Sequence, residues 1–204
     1  PSTILFPYGF TADTMFLVDE NKYPTLAPII KALKTWDHNT NPESNGALIY
    51  NLAYYEIPKL MEGRKDDKLT TQEAVATYQY IYDFLMKNYN RLDVSLGEMQ
   101  RLVRGDENWP QGGMPDVLAA VQTQPYGAGQ RKMNSGDAYI EFVRFPKDGG
   151  LPLIESVNTF GASSNKGDAL YADHRAMYQA QQVKKMTLDK TEVLKNAKRT
   201  YHPQ

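Results

Sequence analysis

The stretch DAYIEFVRFPKDGGLPLIESVNTF, residues 137–160, decides the fold. Ala138, Ile140 and Phe142 alternate with Tyr139, Glu141 and Val143, the period-two pattern of a strand. Pro146 to Gly150 (PKDGG) supplies a turn, and Leu151 to Phe160 reads as the returning strand. Ile140 and Phe142 fall on one face of the hairpin, and Tyr139, Val143 and Phe145 on the other. Antiparallel sheets with a wet side alternate apolar and polar residues cleanly, so both faces here are expected to lie against protein. A lone hairpin is marginal in water and leaves two unpaired edges. These are the only two strands the pattern supports. The hairpin is therefore expected to belong to a sheet that this chain does not complete, unless Ile4 to Phe10 adds a strand or a second copy pairs with it.

Upstream, the pattern is helical. Leu26, Ile29, Ile30 and Leu33 form one apolar stripe, with Thr25 placed to cap it and Pro28 in its first turn. Trp36 to Gly46 is dense in Asn, Asp, Pro and Gly and reads as a loop. A second helix is expected from Ala47 along Leu48, Leu52 and Tyr55 until Pro58 disturbs it. Thr70 and Glu73 have capping-box spacing ahead of the stripe Ala74, Tyr78, Ile81 and Leu85. Ser95 and Glu98 repeat the spacing before Met99, Leu102 and Val103, which predicts a helix ending at Gly105. Pro115 and Asp116 predict a short helix through Val121. Downstream of the hairpin come a Gly/Ser/Asn loop (161–168), a helix near Asp173 to Gln182 and a short one near Lys190 to Ala197. The fold class is α+β, with a helical segment over 1–125 and the hairpin with its closing helices over 126–204.

At 204 residues, with 41% hydrophobic and 23% charged residues, the chain can bury a core. The formal net charge of −1 gives no pull toward nucleic acid. No run approaches the roughly 20 apolar residues of a membrane span. With no cysteine, disulfides, thiolate metal sites and a cysteine nucleophile are excluded. Pro1 in place of an initiator methionine predicts a chain processed or cut from something longer, and no signal peptide is expected at its start.

Candidate chemistry is sparse. His38, His174 and His202 have no histidine partner at metal-ligand spacing. The Asp37–Asn39–Asn41 rhythm resembles a calcium loop, but Pro42 stands where the turn needs Gly and Leu48 where the last ligand should be. Gly127 and Gly129 read as a flexible loop, not a phosphate loop, with no strand expected before them. Ser163 and Ser164 (GASSN) lack the GxSxG elbow and read as a turn. Lys184, Lys185, Lys190, Lys195, Lys198 and Arg199, interrupted by Asp189 and Glu192, read as a solvated helix face. No residue is assigned a catalytic, cofactor-binding or metal-binding role.

Five segments in order carry a family resemblance. Trp36-Asp37 with Ser44, Asn45, Gly46 and Ala47 resembles WD…DSxGA. Leu102 to Asp106 (LVRGD), then Gly112, Gly113, Pro115 and Asp116, resembles RRGD…GGxD. Gly136 to Tyr139 with Glu141 and Phe142 resembles GDSY…EF. Gly161 to Ser164 with Tyr171 and Asp173 resembles GQSSDPxSPHYxDQ, with Ala162, Asn165, Lys166, Leu170 and His174 as departures. Tyr201, His202 and Pro203 resemble an RSYRP ending. Together they resemble the C-terminal part of the β-chain of the penicillin acylase family, in its homoserine-lactone and lipopeptide acylase branch.

That resemblance implies an N-terminal-nucleophile hydrolase with an αββα sandwich. Its serine, exposed by self-cleavage, would use its own α-amino group as base, and a backbone N–H with an asparagine side chain would hold the oxyanion. None of these residues falls in this chain, so the chain alone is expected to be inactive. The implied partners are the α-chain and the N-terminal part of the β-chain, or self-association. No cofactor is implied, and the family points to a periplasmic or secreted enzyme. A different reading of the same residues, the 14 tyrosines above all, is a non-catalytic module with a tyrosine-rich face for glycan or protein.

Overall fold

The computed structural model describes residues 13–117 and 119–197. Ile4 to Phe10, His202 and the closing Tyr201 to Pro203 lie outside them. The chain is α+β, and the described residues hold seven α-helices and two sheets. It divides into two compact units, Pro1–Gly136 and Asp137–Gln204.

The first unit is built on α1 (Asp13–Leu17), α2 (Ala27–Lys34), α3 (Asn45–Leu60) and α4 (Thr71–Tyr89). The stripes expected from the sequence are buried: Ile29, Ile30 and Leu33 from α2, Leu48 and Leu52 from α3, and Ala74, Tyr78, Ile81 and Leu85 from α4 share one core. Burying a Leu or Ile side chain stabilises by roughly 1.5–3 kcal/mol, so this cluster holds the helices together. Details at the ends differ. The N-cap of α2 is Leu26, without a side-chain cap, and not Thr25. Helix α3 starts at Asn45 under a Ser44 cap and runs through Pro58 to Leu60. Pro58 has no N–H to give the carbonyl of Tyr54 four residues earlier, and the helix ends two residues after it. The α4 capping box forms as expected, with the Thr70 N–H donating to Glu73 at 2.7 Å.

The helix expected over 95–105 is a correction. Only one turn forms, α5 (Leu96–Met99), where Glu98 accepts the Ser95 N–H at 2.8 Å. The chain then extends as β1 (Gln100–Arg104), with Gln100 and Leu102 buried. Gly105, at φ 62°, begins the turn into β2 (Glu107–Pro110) instead of capping a helix. The short helix expected from Pro115 is also absent. Asp116 sits at φ 59°, a left-handed conformation that stops helix growth, and Met114 bridges to Ala120.

A hairpin stands where a flexible loop was expected. Strands β3 (Val121–Tyr126) and β4 (Gln130–Gly136) pair antiparallel, and Gly127 and Gly129 turn between them at φ 63° and 71°. So a strand does precede the glycines. The four strands lie in the order β2-β1-β4-β3, with β1 parallel to β4.

The second unit carries the predicted hairpin, β5 (Tyr139–Arg144) and β6 (Leu153–Asn158), in antiparallel register from Tyr139↔Asn158 to Arg144↔Leu153. A third strand, β7 (Lys184–Met186), pairs with residues 154–156 of β6. Lys184 and Lys185 therefore lie on a strand, while Lys190 and Lys195 lie on α7 (Lys190–Asn196). Helix α6 (Arg175–Gln179) packs on β6.

Candidate functional site

The segments that carried the family resemblance in the first unit meet in a packing node. Trp36 donates its indole N–H to the Asn39 carbonyl at 2.7 Å, which closes the loop after α2. A Cβ on Gly46 would stand 2.5 Å from the Trp36 Cβ, so α3 lies against the indole only because residue 46 has no side chain. Three backbone bonds then fix the loop: Leu96 N–H to the Ser44 carbonyl, Gly97 N–H to Pro42 and Gly113 N–H to Thr40. Asp37 is exposed, and its carboxyl is held below the usual aspartate range by the backbone and side-chain N–H groups of Asn39. It closes a turn, accepting the Asn39 backbone N–H at 3.0 Å.

Gln100 is the centre of this node and had no sequence signal. Its side chain is fully buried, and its amide donates to the carbonyls of Gln111, Gly112 and Gly113 at 3.0, 3.2 and 2.8 Å. Its carbonyl accepts from Asn51 at 3.4 Å. Buried carbonyls without a donor cost about 1–3 kcal/mol each, which explains why a polar residue occupies this interior. Gly113 stands at φ 85°, and a Cβ there would lie 2.3 Å from the Ala119 carbonyl oxygen. Next along the loop, Asp116 accepts the Tyr54 hydroxyl at 3.0 Å. Burial, joined by Asp116, pushes the Tyr54 phenol well above its usual range, so it stays a donor.

A second polar cluster ties the β3–β4 hairpin to α3. The Tyr55 hydroxyl accepts the Thr123 N–H at 3.1 Å, and the Arg131 guanidinium lies 4.1 Å from the Tyr55 ring centre. Arg131 also donates to the Thr123 hydroxyl and carbonyl, both at 2.8 Å. Beside it, an open groove of about 560 Å³ is lined by Lys59, Tyr80, Phe84, Lys87, Asn88 and Arg131 among others. Lys59 pairs with Glu56 at 2.8 Å and lies over the Tyr80 ring. The polar groups of these clusters are turned on one another, an arrangement that positions backbone.

In the second unit, Ser163 accepts the Asn165 N–H at 3.1 Å, the turn expected of GASSN. His174 is buried at the start of α6. Its Nε2 is 3.8 Å from the Asp173 carboxylate, and its Nδ1 has no hydrogen-bond partner. His38 is stacked between Trp36 and Phe16 at centroid distances of 5.2 and 6.2 Å. Among the described residues, no group of three or more His, Asp and Glu is placed to hold a metal ion. Among the described tyrosines, Tyr50, Tyr54, Tyr78 and Tyr178 are buried, Tyr80 and Tyr139 are exposed, and the others are half-buried.

The hairpin is different, because its apolar side chains are open. Tyr139, Phe142 and Phe145 are 53%, 60% and 74% exposed, and Val143, Leu151 and Leu153 are exposed with them. They cover both faces of β5.

A family model described as penicillin amidase matches residues 10–195. The chain belongs to the penicillin amidase family. Within it, an acyl-homoserine lactone acylase of Pseudomonas fluorescens, PvdQ, is 30% identical over 89 residues, 42% of this chain. The match covers 11% of that acylase. The matched region includes residues of both units. No helix among the described residues is long and apolar enough to cross a membrane.

Proposed function

We propose that this chain is the C-terminal structural part of an amide-hydrolysing acylase whose N-terminal serine lies outside it. The observation that carries this reading is the exposure of apolar side chains on both faces of β5 in a chain matched to the amidase family over 186 residues, 10–195. Large exposed apolar patches mark surfaces that protein covers. The polar clusters of the first unit support the same role, because they fix backbone. Tyr50, Tyr54, Tyr78 and Tyr178 are buried and so take no part in a tyrosine-rich binding face.

In this reading the serine attacks the amide carbonyl with its own α-amino group as base. Free α-amines titrate near about 7.7–8.0, which suits a base at neutral pH. A backbone N–H and an asparagine side chain hold the oxyanion, the amine leaves, and water releases the acyl group. The substrate class follows the relative, acyl-homoserine lactones, with penicillin G as the family's other test compound. The enzyme would work in the periplasm or outside the cell.

The experiment is amine or lactone release from both substrates, by the chain alone and by the chain with the remaining acylase polypeptide. The expected result is no turnover alone and turnover with the remainder. Turnover by the chain alone that is lost in Ser163→Ala, Ser164→Ala would place a nucleophile in GASSN and overturn the reading.

A further inference from the structure

The groove between α4 and the β3–β4 turn has walls that are fixed from within the first unit. Gly129 stands at φ 71°, and a Cβ there would lie 2.6 Å from the Asn88 Cβ, so the turn approaches the end of α4 as closely as it does only without a side chain. The Tyr89 hydroxyl holds it there, donating to the Gly129 carbonyl at 3.0 Å. On α4 the rings of Tyr80 and Phe84 lie 6.4 Å apart between centroids, tilted by 33°, and give the groove an aromatic wall. Tyr80 is exposed and Phe84 half-buried. The volume of about 560 Å³ suits a small molecule, whose sites run from roughly 300 to 1,000 Å³.

The charges along this groove do not cancel. Arg131 is half-buried and donates Nε and Nη2 to the Thr123 hydroxyl and carbonyl, both neutral acceptors. Its Nη1 meets no acceptor among the described residues. Lys87 is exposed and has neither an ion pair nor a hydrogen bond among them. Lys59 is neutralised by Glu56 at 2.8 Å. The acid in the lining, Asp83, sits one turn before Lys87 and accepts the Gln79 amide at 2.9 Å. Asp83 offsets one of the two remaining cations, Lys87 and Arg131, and one positive charge is left. A monoanion matches it, whereas a dianion exceeds it and is repelled by Asp83.

We propose that this groove binds a small aromatic monocarboxylate, its ring against Tyr80 and Phe84 and its carboxylate between Lys87 and the Arg131 Nη1. Aromatic rings pair with such a wall in offset or edge-on geometry. Both cations give the carboxylate charge-assisted hydrogen bonds, and Arg131 is already oriented by Thr123 and by the Tyr55 ring 4.1 Å away. Inorganic phosphate offers nothing to Tyr80 and Phe84. An acidic peptide brings more carboxylates than the one uncompensated charge can take. The site uses residues of the first unit alone and stands apart from the acylase reading, so either can fail without the other.

The test is a titration of the isotope-labelled chain, at fixed protein concentration, followed by amide chemical shifts. The probes are phenylpropanoate, its uncharged counterpart phenylpropanamide, propanoate and inorganic phosphate. The expected result is saturable shifts at Phe84, Lys87, Gly129 and Arg131 with phenylpropanoate. Phenylpropanamide and propanoate should each bind about ten-fold more weakly, the fold-change that one charge-assisted hydrogen bond or one buried ring commands. Lys87→Gln, at an exposed side chain with no partner to lose, should weaken phenylpropanoate by about ten-fold as well. Asp83→Asn keeps an acceptor for Gln79 and should tighten it. Equal binding of the amide and the acid, or an unchanged affinity in Lys87→Gln, would overturn the proposal. So would tighter binding of phosphate, or of an acidic peptide carrying one phenylalanine, which would give the groove a different occupant. Shifts at the same amides on raising the protein concentration alone would make that occupant a second copy and sink it too.

Discussion

Gln100 shows how much a single buried amide can organise. Its side chain serves three carbonyls of the 111–113 segment, and that segment in turn bonds the 40–42 loop through Gly113. Gln100→Ala leaves the Gln111 and Gly113 carbonyls buried without this donor, while the Gly112 carbonyl keeps the Gln111 side-chain amide at 2.8 Å. The expected loss is about 2 kcal/mol or more, at about 1–3 kcal/mol for each group left unsatisfied. Urea unfolding followed by far-UV circular dichroism measures it, and a change below about 0.5 kcal/mol would mean that water reaches the site. Leu85 belongs to a simpler class. It is fully buried on the stripe that the sequence marked, and Leu85→Ala is expected to cost about 2–5 kcal/mol in the same assay.

At the level of elements, α4 is the segment most completely specified by local signals. The Thr70 backbone N–H, with the Thr70 hydroxyl and the Arg64 guanidinium, holds the Glu73 carboxyl below the usual glutamate range. A carboxyl lowered in the folded state stabilises it above its unfolded pKa. That contribution is lost as pH falls through the folded value. The chain should therefore lose stability on acidification below the ordinary glutamate range, and Glu73→Gln should flatten this part of the profile. Unfolding midpoints of the two proteins between about pH 5 and pH 2.5 give the comparison; parallel curves would show that the Glu73 contacts are not kept in solution. Elements β1, β3 and β4 are the opposite case. Met99, Leu102 and Val103 have a spacing that suits a helix turn, yet Leu102 points into the core from a strand because Gln100 and the parallel neighbour β4 hold the chain extended. Residues 121–136 are rich in Gln, Lys and Arg, so their alternation of Val121 and Thr123 inward with Gln122 and Gln124 outward carries little apolar signal.

For the whole molecule, the open hairpin sets the solution behaviour. Exposed phenylalanines beside an unblunted edge favour association. The chain alone is expected to run larger than a monomer in size-exclusion chromatography with light scattering, increasingly so with concentration. Phe142→Ser with Phe145→Ser should shift it toward monomer and weaken its capture by the remaining acylase polypeptide. A wild-type chain that stays monomeric at high concentration would show that these side chains are covered from within.

The sequence by itself determined the apolar stripes of α2, α3 and α4, the capping box of α4, the β5–β6 hairpin and its two apolar faces, and the family. These are local patterns, and their information lies within a few residues of one another. It also determined the packing glycines of the family segments as motifs, though not what they pack against. Only the tertiary structure decided that Gly46 lies on Trp36, that Gln100 feeds distant carbonyls, that residues 100–136 form a sheet, and that β7 closes one edge of the second sheet while, among the described residues, no strand pairs with the outer side of β5. Those features join residues far apart in the chain. A strand that gains its stability from a distant neighbour carries little of that pairing in its own spacing.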